Sequence, residues 1–256
     1  MAKTIATGFI SDKVNGIKVN SSKPAHSANY TKKTSRKIKK IIVHYTGNKQ
    51  DTAFANANYF SKARATSAHF FVDNDNIYQS VRLKDIAYHA GDWDVNCESL
   101  AVEMCTSGSY LASAKTIKNT AYLVANLCKR AGITASMVDD CVLRHYDITK
   151  KACPKQFSNG GKNDADWIAF KKQVKNILSP QPTVKTVNYK VKITTSSLNI
   201  RKGAGISYAT LGTVKKNEVY TIVRETKVGN ATWGRLKKGP IVGSSWICLT
   251  DYTKTV

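Results

Sequence analysis

Apolar and polar positions along the chain fall into two regimes that meet near residue 179. In the first, residues 39–45 (Lys-Lys-Ile-Ile-Val-His-Tyr) form a β-branched run suited to a buried strand, and residues 51–63 set Phe54, Ala57 and Phe60 at helical spacing. Residues 67–73 predict another strand, Asn74-Asp75-Asn76 a turn, and residues 77–81 its return partner. Residues 99–105 and 141–146 predict two further strands. Residues 114–131 predict a long amphipathic helix stopped at Gly132, and residues 164–178 a helix capped by Asp164, with Trp167, Phe170, Val174 and Ile177 on one face. Strands alternating with helices predict an α/β fold, a mixed sheet flanked by helices.

In the second regime short strands alternate with turn residues, at 189–193, 198–201, 209–214, 219–225, 232–236 and 245–249. Six of them in so short a stretch predict a small all-β barrel or sandwich. Between the regimes stands Ser179-Pro180-Gln181-Pro182-Thr183, a break in both patterns. The expected organisation is therefore a first domain over 1–178 that opens with a basic, partly extended segment 1–38, a linker over 179–187, and a second domain over 188–256.

Composition changes the picture in one respect, charge. The chain carries 40 Lys+Arg against 17 Asp+Glu, a formal net charge of +23, with 27 against 14 up to residue 178 and 13 against 3 beyond it. Such a field gathers polyanions of any kind, whether nucleic acid, acidic membrane or anionic wall polymer. No apolar run approaches the roughly 20 residues that span a bilayer, so no stable membrane insertion is expected. The N-terminus shows no apolar core followed by a small-residue cleavage site, and the expectation is synthesis in the cytoplasm without a secretory signal peptide. The six cysteines form no C-x-x-C pair, and most read as small buried hydrophobes.

Cys153 is the exception, lying among polar neighbours eight positions after His145. His44 and His145 both close apolar runs, and two imidazoles with one thiolate make a ligand set for Zn²⁺ that leaves a fourth position open, as catalytic zinc sites do. Asp147 is either a fourth ligand or a support for a ligand histidine. Water activated at such a site still needs a base and a group to hold a developing oxyanion. Glu103, a carboxylate in the apolar run Ser-Leu-Ala-Val-Glu-Met, and Lys151, two residues before Cys153, are the candidates.

These motifs carry a resemblance. Ile42-Val43-His44-Tyr45-Thr46-Gly47, Ser67-Ala68-His69-Phe70-Phe71-Val72-Asp73, Ala87-Tyr88-His89-Ala90-Gly91, Ser99-Leu100-Ala101-Val102-Glu103 and Arg144-His145-Tyr146-Asp147 through Cys153-Pro154 occur in the order found in type 2 N-acetylmuramoyl-L-alanine amidases, the zinc amidase fold shared with peptidoglycan recognition proteins. The resemblance covers residues from about 38 to 178. It implies His44, His145 and Cys153 as zinc ligands, Glu103 as general base and then acid, Lys151 as oxyanion stabiliser, and the bond between muramic acid and L-alanine as the one cut. His69 and His89 match family histidines that line the cleft, and His89 is the better candidate for touching substrate; Asn48 is a weaker one. Some phage members carry a tyrosine just before the hairpin histidine; here that position is Ala68, which points to the glutamate-using branch.

The second domain resembles the bacterial SH3-like module, through Leu198-Asn199-Ile200-Arg201-Lys202-Gly203, Trp233-Gly234-Arg235-Leu236 and Ser245-Trp246-Ile247-Cys248-Leu249. The resemblance implies peptidoglycan as its partner, and the charge adds teichoic acid or another wall anion. Trp233 and Trp246 read as core residues, Tyr208 and Tyr220 as either packed or exposed aromatics. The combined expectation is an endolysin of phage or prophage origin that acts on Gram-positive walls after release. A bacterial autolysin of the same chemistry, a non-catalytic wall binder on the same fold and a nucleic-acid binder are the rivals, the last lacking any motif.

Overall fold

Ile41, Ile42 and Val43 are fully buried, and they place the strand Lys40–Tyr45 near one side of a seven-stranded sheet. Across that sheet the order is Val142–Arg144, Lys40–Tyr45, Ser99–Met104, Phe70–Val72, Ile77–Gln79, Ile17–Asn20, Lys13–Val14. The four strands from Val142–Arg144 to Phe70–Val72 run parallel, the hairpin return Ile77–Gln79 is antiparallel to Phe70–Val72, and Ile17–Asn20 is parallel to Ile77–Gln79. Parallel strands covered on both faces read as continuous apolar runs, which is why Lys40–Tyr45 shows no alternation.

The computed structural model describes residues 3–106, 108, 110–158, 165–179 and 183–256. The cap expected at Asp164 and the prolines of the expected linker lie outside them. The chain divides into two compact units, Met1–Ser179 and Pro180–Val256. In the first unit one face of the sheet, with Ile41, Val43, Leu100, Val102 and Met104, packs under two helices, Ala114–Ala131 and Ala165–Leu178, through Leu123, Leu127, Trp167, Phe170 and Val174. Ser113 caps the longer helix by accepting from the Thr116 amide at 3.1 Å, and Gly132 ends it in the left-handed region at φ 73°. The opposite face carries a smaller cluster, Ala53, Ala57, Ala68, Phe71, Ala101 and Cys105, beneath the helix Ala53–Phe60. This face is only partly roofed, and the cleft opens there.

The basic segment 1–38, expected to be partly extended, adds Lys13–Val14 and Ile17–Asn20 to the sheet and also buries Ile5, Ile10, Val14, Val19 and Ile38 in the main core. Its buried residues are spread among polar ones and show no sustained period. One expectation is corrected: the run 141–146 is not one strand; it stops at Arg144, and His145–Thr149 is a helix whose first turn is closed by Asp147, which accepts from the Arg144 amide at 2.8 Å. A short helix, Trp93–Glu98, capped by Asp92, was not expected.

The second unit is a seven-stranded antiparallel sheet in the order Thr210–Lys215, Ser197–Arg201, Trp246–Cys248, Ala231–Leu236, Val219–Val228, Lys185–Ile193, Thr253–Thr255. Its core is built from Val191, Ile193, Ile200, Val214, Ile222 and Ile247; Trp233 is buried too, outside that cluster. Thr253–Thr255 is a strand beyond the six expected. Tyr208 is half exposed, whereas Tyr220 packs against the core and donates its hydroxyl to Glu218.

Arg36 joins the N-terminal segment to the rest of its unit. It is buried, and it donates to the carbonyls of Leu83 (2.9 Å), Asn96 (3.0 Å) and Ser99 (2.8 Å). Arg36→Met strips those acceptors of their donor, and a buried acceptor left alone costs about 1–3 kcal/mol. The expected loss is at least about 3 kcal/mol in urea unfolding; a loss under about 1 kcal/mol would refute the anchor role.

Candidate metal centre and active site

Parallel pairing sets His44 opposite Glu103, and Glu103 opposite Phe71, all on the partly roofed face. Within a strand only alternate residues share a face, so Ile42, His44, Ala101 and Glu103 look one way while Ile41, Val43, Leu100 and Val102 look into the core. His145 arrives by a different route, as the first residue of the helix that follows Val142–Arg144. Asp147 makes that turn possible by holding the Arg144 guanidinium as well as its amide, at 2.6 Å from Nη2. It is thus a clamp on Arg144, and it does not join the ligand cluster.

Cys153 returns to the same place because the chain doubles back after Lys150, which takes a left-handed conformation at φ 65°. The Tyr146 amide donates to the Cys153 carbonyl at 2.9 Å, so the start of the helix and the cysteine are tied together. His44, His145 and Cys153 consequently bring one ligand atom each within 4.8 Å of one another, all three buried. The Cys153 thiol lies 3.8 Å from Nδ1 of His44, and the His44 and His145 rings meet edge-on with centroids 4.8 Å apart.

The cluster floors a cleft of about 590 Å³ whose lining includes His44, His89, Glu103, His145, Lys151 and Cys153. Residues the sequence reading passed over also line it, among them Tyr45, Asp51, Asn56 and Tyr59. Asn56 and Tyr59 come from the helix Ala53–Phe60, whose spacing signalled a helix but not which face meets the cleft. Asn48 is on the wall too, donating to Asp51 at 3.1 Å. His69 is not: it is fully buried, its Nδ1 accepts from the Ala101 amide at 3.0 Å, and its Nε2 lies 3.1 Å from the Asp85 carbonyl. Of the two readings open for His69, a packed strand residue or a cleft residue, this placement favours packing.

Electrostatics follow from burial. Burial, reinforced by His89, His145 and Lys151, holds His44 well below the ordinary histidine range, and burial and Lys151 lower His145 as well. Both shifts favour the neutral imidazole, the form that ligates a metal. Burial pushes the Cys153 thiol up to about 12, helped by Glu103 and opposed by Lys151. Burial likewise raises Glu103 to about 8 against the pull of Lys151. Its Oε2 is enclosed and has no hydrogen-bond partner among the described residues. Two neutral imidazoles, a thiol and an unpartnered carboxyl around one open space fit a zinc ion better than they fit each other.

Comparison with known proteins finds likeness to amidases. Residues 34–156 match the family model described as N-acetylmuramoyl-L-alanine amidase. The N-acetylmuramoyl-L-alanine amidase CwlL of Bacillus licheniformis is 31% identical over 184 residues, which are 65% of this chain and 49% of that protein. The amidase BlyA of Bacillus subtilis (strain 168) is 28% identical over 236 residues, 78% of this chain and 63% of BlyA. The chain spans about half the length of the first of these relatives. Among solved structures, the catalytic domain of XlyA superposes with a TM-score of 0.53 at 26% identity, over 62% of this chain and 99% of that domain. The PlyG catalytic domain does so with a TM-score of 0.53 at 26% identity, over 65% of this chain and all of that domain.

Glu103 makes stability depend on pH. A carboxyl raised from near 4.5 to about 8 contributes most below 4.5, and that contribution falls away as pH rises through 8. In metal-free protein kept in chelator, Glu103→Gln is expected to match the parent chain at acidic pH and to exceed it by about 1–3 kcal/mol in mildly alkaline solution, the usual cost of a buried group left unpaired. Unfolding curves that stay parallel across that range would contradict the placement of this carboxyl.

Proposed function

We propose that the chain, whose residues 34–156 match the N-acetylmuramoyl-L-alanine amidase family model, is a member of that family and hydrolyses the amide between N-acetylmuramic acid and L-alanine in peptidoglycan, with zinc held by His44, His145 and Cys153. The observation that carries this reading is the meeting, on one cleft, of a three-donor cluster with the unpartnered carboxyl of Glu103 and the cation of Lys151. Zinc supplies Lewis-acid polarisation and makes water a competent nucleophile near neutral pH.

The chain's own residues do the rest. Glu103 takes the proton of the attacking water and hands it to the departing L-alanine nitrogen, a double role suited to a carboxyl whose proton affinity lies near neutrality. Lys151 reaches into the cleft from an exposed loop position and offsets the negative charge that develops on the former carbonyl oxygen. The neighbouring imidazoles stay neutral, so no second cation competes with it.

The second unit is proposed to be an SH3-like wall-binding module. Its all-β sheet and its strong basic excess support that reading, as does a groove of about 680 Å³ lined by Leu198, Ile206, Trp233 and Tyr252. Attraction to teichoic acid or another wall anion follows from the charge, and tethering raises the effective concentration of the hydrolase at its polymer. We read the whole as an endolysin of phage or prophage origin, a reading supported by the likeness to a solved structure titled a mutant endolysin from Bacillus subtilis, TM-score 0.53 at 27% identity.

Digestion of purified Gram-positive walls, read by mass spectrometry, tests the bond. New free L-alanine amines without new reducing sugars are expected. Glu103→Gln should slow release by about 10²–10⁴-fold, Lys151→Ala by about 10²–10³-fold, and chelation should abolish it. New reducing ends would overturn the amidase reading, and clearing no faster than Glu103→Gln would leave a wall binder.

A further inference from the structure

His89 was expected to touch substrate, yet both of its ring nitrogens are engaged within the protein. Nδ1 lies 3.1 Å from Nε2 of His44, and Nε2 lies 3.1 Å from the Ser99 hydroxyl, which in turn reaches the Val95 carbonyl at 2.5 Å. Hydrogen-bond polarity gives this chain one consistent direction once His44 ligates through Nδ1, the nitrogen facing Cys153. Nε2 of His44 then carries the proton and donates to Nδ1 of His89. Neutral His89 must carry its own proton on Nε2 and donate to Ser99, and Ser99 donates to Val95. Every donor meets one acceptor.

The turn that carries His89 also serves the other histidine. Asn96, buried in the short helix Trp93–Glu98, accepts with Oδ1 from the amides of His89 (3.1 Å) and Ala90 (2.9 Å). The next residue, Gly91, sits in the left-handed region at φ +68°, and a Cβ there would fall 3.3 Å from Thr149 Cγ2 and 4.0 Å from Nε2 of His145. The absence of a side chain spares Thr149 a close contact, and the turn meets the second imidazole through a hydrogen bond between His145 and the Ala90 backbone.

We infer that the turn from His89 to Gly91, pinned by Asn96, is a positioning element for both histidine ligands: His89 sets the tautomer and plane of His44, and the turn backbone backs His145. This rests on the zinc reading of the cluster above. Groups that orient a ligand imidazole typically govern metal affinity by about 10- to 100-fold, whereas a substrate contact leaves it alone.

The test measures zinc affinity of the full chain by competition with a chelator, and the visible absorption of the cobalt-substituted protein, for the parent, His89→Ala, His89→Asn and Ser99→Ala. His89→Ala is expected to weaken affinity by about 10- to 100-fold and to alter the cobalt bands. His89→Asn, whose Oδ1 takes the place of Nδ1 as acceptor, should recover most of the loss, and Ser99→Ala should show a smaller one. Unchanged affinity in His89→Ala, with only the KM for wall fragments raised, overturns the inference in favour of a substrate contact. Should His89→Ala fail to fold, Ser99→Ala decides: weakened affinity supports the relay, unchanged affinity sinks it. A parent chain that takes up no metal overturns the zinc reading itself, a separate result.

Discussion

Register between the parallel strands Lys40–Tyr45 and Ser99–Met104 is the constraint on which the cleft depends. A one-residue slip would turn His44 and Glu103 into the helical core and bring Val43 and Val102 out to the cleft. The neighbours forbid it. Ile41, Ile42, Val43, Leu100, Ala101 and Val102 are all fully buried, so each register alternative exchanges large and small side chains across a close-packed interior. The core on one face thereby holds the chemistry on the other.

The same burial sets the electrostatics. An imidazole and a carboxyl removed from water both shift toward their neutral forms, so a single physical cause makes His44 and His145 available as ligands and gives Glu103 its raised proton affinity. Lys151 is the counterweight, an exposed cation acting on a poorly solvated site, which keeps Glu103 and Cys153 from rising further. Arg36 and Asn96 extend the arrangement outward, the first through backbone carbonyls near the short helix, the second through the amides of the turn behind the histidines.

What could be read in the chain before folding was whatever repeats with a local period or stands beside its partner. The apolar run around His44, the helix ended by Gly132 and the His145-to-Cys153 spacing are of this kind, as is the excess of lysine and arginine. The N-terminal segment escaped because its buried residues, Ile5, Ile10, Val14 and Val19, are isolated among polar ones and find their partners in the sheet and in the helix Ala114–Ala131. The helix start at His145 escaped because Asp147 reads in the sequence as a ligand or a support for a ligand histidine, and only the fold shows it as the cap that ends the strand.

Local sequence, then, determined residue chemistry and the alternation of strand and helix, since propensity and period act over a few residues at a time. Tertiary structure alone decided which histidines face the cleft. His69 and His89 have similarly polar and apolar surroundings in the sequence, yet one is locked against backbone in the core and the other stands behind His44. That difference comes from strand pairing and from the short helix bearing Asn96, contacts between segments that no local pattern encodes.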